Sequence, residues 1–79
     1  MRKAYVLINC NIGSEEFVIS QLKEIDLVKE VHGTFGAYDI VVLVEADKVE
    51  SLRDIITWKI RKIENIRSTL TMMVIEGQE

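Results

Sequence analysis

The sequence predicts an α+β sandwich: one four-stranded antiparallel sheet with two helices packed on one of its faces. Three observations carry that expectation. Four segments are rich in β-branched and aromatic residues, two segments between them have apolar residues at helical spacing, and the order is strand, helix, strand, strand, helix, strand. At 79 residues the chain is long enough for one core and too short for two, so residues 1–79 are expected to form a single domain.

The first strand is expected over residues 3–10, where Tyr5, Val6, Leu7 and Ile8 are strong strand formers. Gly13 and Ser14 then start a helix. Ser14 is placed to cap it, and Glu15 and Glu16 sit where a helix N-terminus favours negative charge. Phe17, Val18, Gln21, Leu22 and Ile25 extend the helix over about 15–25. A second strand is expected from Val28 to Phe35 and a third over Ile40 to Val44, a run with no polar residue. Asp47 and Glu50 resemble a capping box opening a longer helix over about 48–63, whose stripe includes Leu52, Ile56, Ile60 and Ile63. A fourth strand covers about Arg67 to Glu76. Two right-handed crossovers close this order most simply as a ferredoxin-like βαββαβ sandwich.

That fold exposes a conflict in the sequence. A sheet covered by helices on one side should alternate apolar and polar residues, yet strands one and three are apolar at both parities. Ala4, Val6 and Ile8 would face the helices while Tyr5 and Leu7 face outward; Ile40, Val42 and Val44 stand against Val41 and Leu43 in the same way. An open apolar face of this kind calls for a second subunit, sheet against sheet, so at least a homodimer is expected. Trp58 lies off the stripe of its helix and belongs either to the rim of the core or to a subunit contact.

Composition excludes several classes of function. Apolar residues make up 48% and charged residues 29%, the balance of a globular chain. A net charge of −3 offers no basic field for nucleic acid. Six of the ten cationic residues, Lys48, Arg53, Lys59, Arg61, Lys62 and Arg67, fall in one stretch that reads mainly as the solvated side and end of a helix. Cys10 is the single cysteine, which suits a reducing, cytoplasmic setting and a small apolar role in a strand. No signal peptide or membrane-length apolar run is present.

Catalytic machinery is hard to find. His32 is the only histidine, no group of Cys, His and carboxylates has metal-ligand spacing, and the serines and threonines lack a neighbouring base. Neither a metal nor a cofactor is implied. The stretch from Gly33 to Asp39 concentrates what chemistry remains: two glycines, then the buriable aromatic Tyr38, a core or pocket-wall residue, and one carboxylate. A strand rather than a helix follows it, which removes phosphate-loop and dinucleotide readings. Asp39 reads either as a turn residue bonding its own backbone or as a partner for an ammonium group. In strand four, Arg67, Thr69 and Thr71 share one face by period two; they form either an exposed strand surface or a row of donors for a carboxylate. An amino acid has both complementary halves.

These residues resemble the effector-binding half of the Lrp/AsnC, or feast/famine, transcription regulators, also called the RAM domain. The resemblance runs through Tyr5-Val6-Leu7-Ile8, Val28 to Val31, Gly36-x-Tyr38-Asp39, Ile40 to Val44, and Ile63-x-x-Ile66-x-Ser68-Thr69-x-Thr71. It implies the same ferredoxin-like fold, dimers through facing sheets, and rings of dimers, commonly octamers, with amino acids bound between neighbouring dimers. By position it makes Gly36, Tyr38, Asp39, Arg67, Thr69 and Thr71 ligand-binding residues, with Gly36 admitting the ligand to the backbone and Asp39 holding its ammonium group. Met1 lies only a residue or two before the first strand, so the chain resembles the stand-alone form of the module, without the helix-turn-helix domain. No direct DNA binding is expected of that form; full-length regulators are its expected protein partners. The runner-up expectation is a small ferredoxin-like dimeric enzyme of isomerase or monooxygenase type, which would need a reactive group beyond the isolated His32. A third is a structural partner subunit with an empty site.

Overall fold

The computed structural model describes residues 1–78. Strand β1 (Arg2–Cys10) leads to helix α1 (Glu15–Lys23), then β2 (Val28–Gly33), β3 (Ile40–Ala46), helix α2 (Val49–Ile55) and β4 (Ile66–Met73). The sheet order is β2-β3-β1-β4 and all three pairings are antiparallel. This is the expected ferredoxin-like sandwich, with β1 and β3 at its centre.

Register explains the core. Ala4, Val6, Ile8 and Cys10 of β1 and Ile40, Val42, Val44 and Ala46 of β3 are buried in one cluster with Val18 and Leu22 of α1 and Leu52 of α2. Both helices therefore pack on the same side of the sheet. The opposite side is apolar as well: Tyr5 pairs with Leu43 and Met72, and Leu7 with Val41 and Leu70. Leu70 and Met72 are 46% and 49% exposed, so the outward row continues to the β4 edge of the sheet. Among the described residues no helix is long and apolar enough to cross a membrane.

Several boundaries differ from the sequence expectation, each for a local reason. Strand β2 stops at Gly33, not Phe35, because the chain closes into a loop there. Thr34 N–H donates to the Asp39 carbonyl at 2.8 Å and the Thr34 hydroxyl to the Tyr38 carbonyl at 2.7 Å. Within that loop Gly36 has φ of +132°, a conformation that favours glycine. Phe35, expected to end the strand, is fully exposed at its tip. Strand β4 begins one residue early, after Asn65 turns the chain at φ +75° and its carbonyl accepts from Asn11 N–H at 2.8 Å. It ends at Met73, short of Glu76.

Neither cap forms as the sequence suggests. Ser14 stands at the N-cap of α1, but its hydroxyl donates backward to the Asn11 carbonyl at 2.5 Å and caps no helical N–H. At α2 the N-cap is Lys48, with no side-chain cap bond. Asp47 is thus one position too early for a capping box with Glu50. Helix α2 then continues as a π-helical turn over Ile56–Ile60 and ends there, three residues before the expected limit. Trp58 rides on that turn, 64% exposed, with Lys62 Nζ 5.5 Å from its ring centroid.

Candidate functional site

The central strands carry Asp39 to the end of the sheet where β1 finishes and β3 begins. Its backbone N–H donates to the Ile8 carbonyl at 2.9 Å, and one carboxylate oxygen, Oδ2, accepts the Cys10 N–H at 2.9 Å. The side chain therefore continues the β1–β3 ladder for one residue beyond the paired backbone. This fixes the carboxylate at the end of the sheet. The bond differs from the local turn bond the sequence suggested, since its donor lies 29 residues away on β1.

Asp39 borders an open hollow of about 490 Å³, together with Glu15, Gly33, Thr34 and Phe35. Helix α1 begins directly after the β1–α1 turn, so its N-terminus stands at the same end of the sheet as the β2–β3 loop. That is how Glu15 reaches the hollow. Its sequence signal, an acid in the first turn, reads equally well as a dipole partner, and only the topology reveals its second neighbourhood. The Thr34 hydroxyl is already committed to the loop, so the charged side chains left at the hollow are the carboxylates of Glu15 and Asp39. No cationic side chain lines the hollow.

The remaining sequence-derived candidates divide into two groups. Gly36 and Tyr38 belong to the same loop as Asp39, with Tyr38 half-buried and Gly36 exposed. Arg67, Thr69 and Thr71 are elsewhere. Thr69 and Thr71 pair with Ile8 and Val6 on the far side of β1, so the whole width of that strand separates them from β3, roughly 10 Å across two strand spacings. The row is also shorter than period two suggests. A bulge at Asn9–Cys10 pairs Ser68 with Asn9 and Ile66 with Cys10, leaving Arg67 unpaired between them. Within one protomer the acidic loop and the donor row do not converge.

The other reactive side chains are quiet. Cys10 is buried. Burial chiefly, with the negative charges of Asp39 and Glu15 and a hydrogen bond with Asp39, pushes its thiol upward against a hydrogen bond with Ser14 that acts the other way. A thiol held protonated is a poor nucleophile. His32 is exposed on β2, with Nε2 3.0 Å from Glu30 Oε1. Among the described residues no three Cys, His or acidic side chains are grouped to hold a metal.

Residues 3–77 match the model of the Lrp/AsnC ligand-binding domain. An uncharacterised HTH-type transcriptional regulator of Pyrococcus furiosus is 34% identical over 73 residues, covering 89% of this chain and 49% of that protein. The regulatory protein AsnC of Escherichia coli is 31% identical over 59 residues, covering 75% of this chain and 39% of AsnC. The chain thus spans about half or less of the length of these relatives, both of them transcription regulators. The crystal structure of FFRP-DM1 superposes with a TM-score of 0.90 at 39% identity, covering 95% of this chain and all of that one. Family model, relatives and fold agree: the chain belongs to the Lrp/AsnC ligand-binding domain family.

Proposed function

We propose that this domain senses a free amino acid, assembles through its open sheet face into dimers and higher rings, and modulates Lrp/AsnC-type regulators without contacting DNA itself. The observation that carries the reading is the anchored carboxylate of Asp39. Its Oδ2 accepts the Cys10 N–H and the residue borders a solvent-open hollow, an arrangement suited to orienting an ammonium group by a charge-assisted hydrogen bond. Gly36 keeps the loop free of side-chain bulk where a ligand would approach the backbone; a Cβ built there meets nothing within 4 Å. Tyr38 would wall the same end of the sheet.

The side chains bordering the hollow supply acceptors for an ammonium group and no cation for a carboxylate. Arg67, Thr69 and Thr71 of a neighbouring copy are proposed to supply side-chain donors. A site built from two copies couples ligand to assembly, because a ligand that binds only the assembled form shifts the population toward it. The apolar outward row from Tyr5 to Met72 supports association of the same kind, and the acidic net charge supports the absence of direct DNA contact.

Calorimetry of the full chain against the twenty amino acids tests the reading, with binding of at least one at sub-millimolar concentration expected. Asp39→Asn is the informative variant, since its amide oxygen can still accept the Cys10 N–H while the charge is gone. Affinity should fall tenfold or more with the fold intact by circular dichroism. Unchanged affinity in this variant would remove Asp39 from the site.

A further inference from the structure

Charge at the hollow is unbalanced beyond what an α-amino acid requires. Two carboxylates, Glu15 and Asp39, border it, and every other lining residue is uncharged. Glu15 is half-buried, and among the described residues it has no salt-bridge partner. The two charges act on a common neighbourhood: both oppose ionisation of the Cys10 thiol. The third wall is Phe35, whose fully exposed ring is free to lie over a cation. An α-ammonium group uses one of these negative charges and leaves the other at a hollow that Phe35 also lines and that has no cationic side chain of the same protomer.

We infer that Glu15 is a specificity-determining residue of this site, and that the hollow selects an amino acid whose side chain ends in a second cationic group, of the lysine, ornithine or arginine class. Asp39 holds the α-ammonium and Glu15, with the Phe35 ring, receives the side-chain cation. The inference rests on the proposed amino-acid site. It differs from it in what it requires: a neutral side chain of the same length leaves Glu15 unpaired on desolvation, which is the larger part of the discrimination.

L-Lysine and L-norleucine separate the two claims, because they share a four-carbon side chain and differ by the terminal ammonium group. Calorimetry on the full chain should show lysine binding at least tenfold more tightly than norleucine. In Glu15→Gln that ratio should fall to threefold or less, through loss of lysine affinity while norleucine is little changed. Glu16→Gln is the control, since Glu16 occupies the same first turn of α1 but does not line the hollow; it should preserve the wild-type ratio. Equal or tighter binding of norleucine by the wild type overturns the role of Glu15 and leaves the amino-acid site standing. A ratio that falls equally in Glu15→Gln and Glu16→Gln also overturns it, by assigning the effect to the helix terminus. Binding of no amino acid at millimolar concentration overturns both claims together.

Discussion

The two faces of the sheet are built from the same kinds of residue and differ in what covers them. On the helix side, Ala4, Val6, Ile8, Ile40, Val42 and Val44 are wholly inaccessible, sealed by Val18, Leu22 and Leu52. On the other side, Tyr5, Leu7, Val41, Leu43, Leu70 and Met72 form an equally apolar row with no helix over it. Apolar side chains drive folding only where something excludes water from them. The first face therefore stabilises the protomer, while the second is available to stabilise an assembly. A domain of this length has little stability to spare, so the second contribution matters to the first.

Substitutions can separate the two roles. The largest effect is expected beneath α1, where Leu22 is completely buried. Leu22→Ala should cost about 2–5 kcal/mol, the transfer term plus a residual cavity. Urea unfolding should show the loss at every protein concentration. A loss that vanishes at high concentration would mean that even the helix side depends on assembly.

Leu7→Lys should behave in the opposite way. Leu7 lies between Val41 and Leu70 in the middle of the open face, where a lysine can reach solvent in a lone protomer but not between two sheets. Analytical ultracentrifugation should show dissociation raised tenfold or more, with the far-ultraviolet circular dichroism of the protomer retained. Unchanged association in this variant would place the contact between copies elsewhere and break the proposed division of labour.

How legible this was depends on the range of the interaction involved. Strand and helix identities, their order and the two-sided apolar character of β1 and β3 were readable, because each rests on periodicity within a few residues. The shift of the α2 cap to Lys48 was not, since Asp47-x-x-Glu50 has the right spacing and the wrong register with the helix. The bulge that removes Arg67 from the β4 row depends on pairing with Asn9 and Cys10, more than fifty residues away. Glu15 was visible only as an acid at a helix start. Its place in the hollow follows from α1 beginning at the end of the sheet that holds Asp39, which is a property of topology rather than of local sequence. Phe35 shows the reverse limit: an apolar residue type gives no information about a loop that holds it away from the core.

The edge of the sheet gives the finest test of the contrast between faces. Thr69 and Thr71 pair with Ile8 and Val6 and so belong to the helix side, yet Thr71 is exposed and Thr69 only half-buried, because β4 lies beyond the cover of the helices. Polar residues at this edge leave its helix side wet while the outward side of the same strand presents Leu70 and Met72. Thr71→Val keeps the β-branched shape and removes only the hydroxyl, so protomer stability should change by less than about 0.5 kcal/mol. Ligand affinity should nevertheless weaken roughly tenfold or more if the hydroxyl donates to the effector's carboxylate from a neighbouring copy, as for one hydrogen bond to a charged group. A Thr71→Val protein with both stability and affinity unchanged would remove Thr71 from the site. The acidic hollow would then need its complementary donors from another part of the assembly, and the row would be simply the wet margin of a face that the helices leave uncovered.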